Sequence, residues 1–276
     1  LSFINIITLF LLFSCNSKDN LQEKRGVSTT TPQKSELVKS GVAINGPNSF
    51  LKFDIPELGA TDFIIAIKFT RQRKLDAGKH LLLSKSFKRE DGQAGPGFAL
   101  ALANFQERYP RGGISPWLIA FSESALSPEV RGGWYPLQPF QGYNKEETIT
   151  LSLTFSGVTT SPSNNEKIFG VSRITQVDNK IEISSLGGIR VKDFGSLQNE
   201  APLLIGAPGG STLRIILEKI LVVTGEKLLD DYYDILHAWV RAKKIPYGHV
   251  LTNLDLSDPT LKLDGRRFKV IPSHSK

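Results

Sequence analysis

The sequence predicts a mostly β protein, an antiparallel β-sandwich carrying one helix near its C-terminus. Three observations predict it. Apolar and polar residues alternate in short runs, clusters of Gly, Pro, Asn and Asp separate those runs, and one long segment alone shows helical spacing. With 276 residues, 40% of them hydrophobic and 22% charged, the chain fits one large domain with tails and can bury a substantial core.

The clearest run is "TITLSLTFSG" (148–157), where Ile149, Leu151, Leu153 and Phe155 share one face and Thr148, Thr150, Ser152 and Thr154 the other. Such alternation marks a strand with one buried and one wet face, which antiparallel sheets allow. "DFIIAIKFT" (62–70) likewise aligns Phe63, Ile65, Ile67 and Phe69. Further strands are expected at 48–55, 80–87, 97–103, 116–122, 180–185, 188–193, 202–207 and 213–224. No helix intervenes between them, which argues for a sandwich over a parallel α/β sheet. Within 116–122, Trp117 keeps register with Ile119 and Phe121, and a core position is expected for it.

"EKLLDDYYDILHAWVRAKK" (226–244) predicts the helix. Leu229, Tyr233, Leu236 and Val240 recur at i, i+3 or i+4, and Leu228, Tyr232, Ile235 and Trp239 widen the stripe. Gly225 stops the preceding strand, acids fill the first turns and bases the last, as the helix dipole favours. The apolar face is expected to pack on the edge of the sandwich.

The N-terminal residues have a different character. "LSFINIITLFLLF" (1–13) is uncharged, long enough for the apolar core of a signal peptide and too short to span a bilayer. No basic segment precedes it, as a truncated start would leave it. The next residues complete "LFSC", which resembles the bacterial lipobox, with Phe13 bulkier than is usual at its position. That resemblance implies cleavage before Cys15, lipid on its thiol and acylation of the new amine, so that 1–14 would be a cleaved signal peptide. Multiple acyl chains hold a protein firmly where one holds it marginally. Residues 16–36 are almost wholly polar, and 15–38 read as a flexible tether. "SKDN" (17–20) resembles the surface-export signals of Bacteroidetes lipoproteins. The expected location is therefore the bacterial cell envelope, on the outer membrane or cell surface, with the lipid on Cys15 as the membrane partner.

The order "SGVAINGPNSFLKF", "DFIIAIKF", "LLLSK", "GFALAL", "ITLSLTFSG", "APLLIGAPGGS" and "LRIILEKILVVTGEKLLDDYYDILHAWV" resembles the concanavalin A-like, laminin-G-like jelly-roll domains of bacterial surface proteins. The resemblance covers residues 40–243, assigns 39–244 to such a domain and leaves 245–276 as an extension. It implies a fold that hosts lectins, carbohydrate-binding modules, glycoside hydrolases and polysaccharide lyases, and fold does not choose among them.

Residue chemistry narrows the choice. The single cysteine leaves no intrachain disulfide and no thiolate zinc cluster, and the four histidines lack ligand spacing, so no metal centre is expected. Calcium, which some laminin-G-like domains bind, stays open; "TNLDLSDPTLKLDG" (252–265) offers Asn253, Asp255, Ser257 and Asp258, but in no EF-hand pattern, and reads as a solvated turn. The net charge of +7 comes with scattered basic clusters that no aromatic motif accompanies, so no nucleic-acid partner is expected. Sandwich glycosidases need paired carboxylates on one strand. Here Glu182 and Glu218 are isolated in the sequence, and the lyase candidates His80 and Arg111 form no motif. The expectation therefore leans away from an enzyme, with a hydrolase or lyase, or a structural envelope domain, as alternatives. The favoured ligand is carbohydrate, met by the loops "RYPRGGISPW" and "RGGWYPLQPFQGYN". There Tyr109, Arg111, Arg131, Trp134, Tyr135 and Tyr143 combine flat rings for sugar faces with guanidinium groups for carboxylate or sulfate.

Overall fold

The computed structural model describes residues 41–45, 49–72, 75, 78–88, 94–104, 114–121, 135–139, 148–157, 166–192, 197–206, 213–258 and 268–271. They all belong to the unit Ser35–Lys276. In chain order the elements are β1 (Val42–Asn45), β2 (Phe50–Phe53), β3 (Asp62–Arg71), β4 (Gly78–Lys88), β5 (Ala94–Asn104), β6 (Ile114–Phe121), β7 (Tyr135–Pro136) and β8 (Thr148–Gly157). There follow β9 (Glu166–Val177), β10 (Lys180–Lys192), β11 (Leu203–Gly206), β12 (Arg214–Gly225), α1 (Tyr232–Val240), β13 (His249–Asp255) and β14 (Phe268–Ile271).

Two antiparallel sheets form a sandwich. The first runs β1-β12-β3-β8-β9-β10, with β13 also on β12, and the second runs β14-β2-β11-β4-β5-β6-β7. The alternating residues of β3 and β8 point inward as their spacing requires. Phe63, Ile65, Ile67 and Phe69, with Ile149, Leu151, Leu153 and Phe155, join Leu51, Phe53, Phe98, Leu100, Leu102, Leu118 and Ile205 of the second sheet in one core. Phe63 stacks on Phe98 across the sandwich with centroids 4.9 Å apart. Each such side chain contributes roughly 1.5–3 kcal/mol by leaving water, so this layer is the main source of stability.

Several local expectations change. The runs at 180–185 and 188–193 are one strand, β10, with an irregularity between Ser185 and Gly187. It pairs with β9, a strand not anticipated because Gly170, Ser172 and Arg173 interrupt its apolar pattern, and a two-residue turn with Asp178 at φ 54 joins the two. A left-handed residue at that point suits the twist of a tight hairpin. The stretch read as an extension supplies β13 and β14, which pair with β12 and β2. Gly248, at φ 76, admits the chain to β13, because a Cβ there would lie 2.5 Å from Val223 Cγ1.

The helix occupies Tyr232–Val240, shorter than the periodic stretch 226–244. Lys227 at φ 56 and Ala242 at φ 52 adopt left-handed backbone that a right-handed helix cannot continue through. Its buried stripe is Tyr232, Ile235, Leu236 and Trp239, while Tyr233, counted in the apolar stripe, is 60% exposed. The helix lies on the outer face of the first sheet, not on its edge. Leu228, Tyr232, Ile235, Leu236, Trp239 and Ile245 cover Ile64, Ala66, Ile174, Leu221 and Val223 there. Among the described residues no helix is long and apolar enough to cross a membrane.

Candidate functional site

Most buried polar groups of the described residues complete the fold. The Tyr232 hydroxyl lies 2.6 Å from Ser152 Oγ and also bonds Ser172. Burial pushes the phenol's pKa up, against the pull of those serines. Ser152, expected on a wet face, is thus fully buried beneath the helix. On the same face Ser156 donates to Asp62 Oδ2 at 2.5 Å, and Lys167 Nζ stands 3.5 Å from the other carboxylate oxygen.

Lys85 on β4 is wholly buried. Its ammonium donates to the main-chain carbonyls of Asn199 and Ala201, both at 2.7 Å. Asn199 is itself fixed, donating to the Pro96 carbonyl at 2.7 Å and accepting from the Ala201 amide at 2.8 Å. Burial lowers the Lys85 pKa to about 8, with the charges of Glu200 and Glu57 opposing the shift. This clasp ties β4 to the segment entering β11.

The isolated acids of the sequence acquire partners. Glu218 accepts from Thr70 at 2.5 Å and pairs with Lys68 at 2.8 Å, and Glu182 pairs with Lys180 at 2.8 Å. Asn253 and Asp255 lie on β13. Asp255 meets Lys219 at 2.7 Å and accepts hydrogen bonds from the Ser257 amide and hydroxyl. Burial would raise its carboxyl, but the bonds from Lys219 and Ser257 outweigh that and hold the pKa below its ordinary value. No cluster of three or more His, Cys, Asp or Glu placed to hold a metal occurs among the described residues.

Of the residues singled out for sugar, Tyr109, Arg111, Arg131, Trp134 and Tyr143 lie outside the described residues, as does Cys15. The Tyr135 backbone pairs with Leu118 where β7 joins β6. His80, the lyase candidate, is buried on β4 opposite Leu102.

A different pair comes together on the outer face of the second sheet. On β5, Leu100 and Leu102 enter the inter-sheet core, so Ala99, Ala101 and Ala103 point outward. Trp117 on β6 and Leu81 on β4 flank Ala101, and Ser115 on β6 and Lys79 on β4 flank Ala103. Trp117 therefore faces away from the core, contrary to the expectation from its register. The inward residues of β6 are Ile114, Leu118 and Ala120. Both parities of "PWLIAFS" are apolar, and Ile119, which shares the parity of Trp117, is itself buried.

Lys79 and Trp117 meet over β5, the ammonium 4.4 Å from the indole centroid. Strands β4 and β6 lie roughly 9–10 Å apart, two ladder spacings, and only long side chains close that gap. The alanines make the crossing possible, because a larger residue at 101 or 103 would stand between them. Ser115 is buried and its hydroxyl donates to the Leu137 carbonyl at 2.8 Å, fixing β6 beside the segment after β7. Lys79 is exposed and Trp117 half-buried, while Ala101 and Ala103 beneath them are buried.

No family model and no curated protein match the chain. Among solved structures, the alginate lyase Aly36B in complex with an alginate trisaccharide is 11% identical, with a TM-score of 0.40 over 67% of this chain and 81% of that one. The exoplasmic/lumenal domain of VIP36, bound to calcium and Man3GlcNAc, is 13% identical, with a TM-score of 0.35 over 67% of this chain and 79% of that one. The enzymatically active domain of tailspike protein 2 of bacteriophage CBA120 is 12% identical, with a TM-score of 0.44 over 85% of this chain. The aligned region spans 34% of the tailspike chain. These are likenesses of fold.

Proposed function

We propose that the chain is a glycan-binding domain and that the outer face of its second sheet is the binding face. The observation that carries the proposal is the placement of Trp117 and Lys79 over the alanine row of β5. An indole presents a flat apolar surface to the C–H face of a sugar ring, and an ammonium beside it supplies charged hydrogen bonds to ring substituents. Both side chains stand on paired strands, which hold such groups more precisely than free loops do. The Arg, Trp and Tyr residues of 109–143 extend the same chemistry in this reading.

Delivery to the cell envelope belongs to the proposal too. Lipid on Cys15 would tether the sandwich through the polar residues 16–38. Metabolic labelling with a fatty acid should mark the wild-type chain, and Cys15→Ser should abolish the label and leave an uncut precursor. Labelling that survives Cys15→Ser would remove the anchor from the account.

The binding claim is tested on a glycan array with the chain carrying Cys15→Ser to keep it lipid-free. Trp117→Ala should weaken binding at least tenfold while the folded signal is retained. An array with no bound glycan, or binding untouched by Trp117→Ala, would overturn the proposed face. Shortening of a bound polysaccharide over time would instead identify an enzyme.

A further inference from the structure

We infer that the turn leaving α1 is a membrane contact, additional to the lipid proposed on Cys15, and that it seats the first-sheet side of the sandwich on an anionic phospholipid surface. Arg241, Lys243, Lys244 and Tyr247 make that contact.

These residues stand on a built turn. The Ala242 amide donates to the Trp239 carbonyl at 3.0 Å and the Lys243 amide to the Ala238 carbonyl at 2.8 Å, closing the helix on left-handed Ala242. That pairing is the Schellman arrangement, which fixes the backbone just past a helix. Ile245 then turns inward and is buried with Trp239 against the outer face of the first sheet. Around it Arg241, Lys243 and Lys244 are exposed, and Tyr247 keeps 44% of its surface in solvent. Val250, also exposed, is the register partner of Val223 and shares its outer face.

The charges here are unspent. Lys52, Lys68, Lys180 and Lys219 each hold a carboxylate within 3.0 Å. Arg241, Lys243 and Lys244 have no acidic partner among the described residues. The helix C-terminus carries about half a negative charge, which three cations exceed. The acids around the start of α1, Asp230, Asp231 and Asp234, lie roughly 10 Å or more away along the axis. That is beyond the screening length of about 8 Å at physiological salt. Each basic residue near an anionic surface contributes roughly a five-fold factor to binding. A tyrosine suits the headgroup level, with its apolar ring and polar tip.

The place where the chain enters the sandwich favours the same contact. β1 and β13 pair with one edge of β12, whose other edge is taken by β3. The chain therefore enters on the edge that bears the turn, roughly 23 Å from it along β12 from Leu217 to Thr224. A flexible chain as long as residues 16–38 has a mean span of roughly 25 Å, so a tether from Cys15 lets the turn reach the membrane. The two outer faces of a sandwich point opposite ways. With the turn on the membrane, the second sheet's outer face is directed away from it.

The test uses the Cys15→Ser chain, which has no other cysteine. It is mixed with vesicles of phosphatidylglycerol and phosphatidylcholine in equal parts, or of phosphatidylcholine alone. The apolar residues 1–13 meet both vesicle types, so the difference between them reports the charged surface. Co-sedimentation should show binding about tenfold tighter, or more, to the acidic vesicles. Arg241→Gln, Lys243→Gln and Lys244→Gln together should remove most of that difference. Lys52→Gln, Lys180→Gln and Arg214→Gln together, an equal loss of charge elsewhere, should leave most of it. A polarity-sensitive dye on Tyr247→Cys should shift to the blue on acidic vesicles. The same dye on Lys52→Cys, outward on the second sheet between the core residues Leu51 and Phe53, should not. Equal binding to both vesicle types, or equal loss from the two triple variants, would overturn the contact. No shift at 247, or a shift at 52, would overturn the orientation. Either failure leaves the lipid on Cys15 and the glycan face standing, since fatty-acid labelling and the glycan array test those separately.

Discussion

The outer faces of the two sheets are built from the same ladder geometry and carry different side chains. On the first sheet, Ile64, Ala66, Leu221 and Val223 are sealed beneath α1, and the polar groups there, Ser152 and Tyr232, bond each other. On the second sheet the outward residues of β5 are alanines, and the large side chains beside them are Trp117, Leu81, the buried Ile119 and the exposed Lys79. A face that carries its own helix has spent its apolar surface on stability. On the second sheet Ala101 and Ala103 are buried as well, and beside them Lys79 is exposed and Trp117 half-buried. On the proposed reading, the contrast separates what folds the protein from what the protein offers to a glycan.

That separation can be broken most forcefully at the helix. Trp239→Ala should lower the stability of the chain by about 3–5 kcal/mol, because its side chain is almost fully buried and the site cannot collapse around the loss. Chemical denaturation would measure this, and Trp117→Ala, made in parallel, should cost much less while removing binding. Similar losses of stability from the two substitutions would blur the contrast.

The Lys85 clasp yields a prediction in pH. The native ammonium gives up its proton near a pKa of about 8, below the ordinary lysine value of 10.5 that the unfolded chain keeps. Between those values the unfolded state binds more protons, so this group makes stability rise with pH across that window. Below pH 8 both states are protonated and its contribution is flat. Lys85→Met should flatten the rise, as denaturation midpoints at pH 7, 8, 9 and 10 would show. The same substitution should lower stability at pH 7, since the carbonyls of Asn199 and Ala201 lose their donor.

A smaller effect is expected at Tyr232→Phe. It removes one hydroxyl from a buried pair and should cost about 0.5–1.5 kcal/mol of stability, with glycan affinity unchanged. Least of all should Glu182→Gln matter. Its pairing with Lys180 is exposed on both sides, with side-chain exposures of 55% and 78%, so no shift in the denaturation midpoint should be detectable.

The sequence made the fold class legible because strict alternation in 148–157 leaves a single choice of inward face. Where a strand is apolar on both faces the parity is hidden. Trp117 shows this: in "PWLIAFS" Trp117 and Ile119 on one parity and Leu118 and Ala120 on the other are all apolar, and it is Leu118 and Ala120 that enter the inter-sheet core. Helical periodicity was visible in 226–244, but helix length was decided by the left-handed residues Lys227 and Ala242, whose backbone no periodicity reveals. The strand β9 was masked by Gly170 and Arg173, which only its pairing with β8 and β10 explains. The candidate site was the least legible part. Lys79 and Trp117 stand on strands 38 positions apart in the numbering, and the alanines that let them meet read as unremarkable strand filler. A row of small residues along one parity of an otherwise bulky strand was the available signal.

The central claim, that the second sheet's outer face is the binding face, is tested most directly by the indole N–H signals of the three tryptophans, Trp117, Trp134 and Trp239. Each is assigned by its Trp→Phe variant in a nitrogen-15 NMR spectrum, and the lipid-free chain is then titrated with an oligouronate. The account predicts a saturable shift of the Trp117 signal while Trp239, beneath the helix, stays in place. A shift of Trp239 with Trp117 unmoved would contradict it.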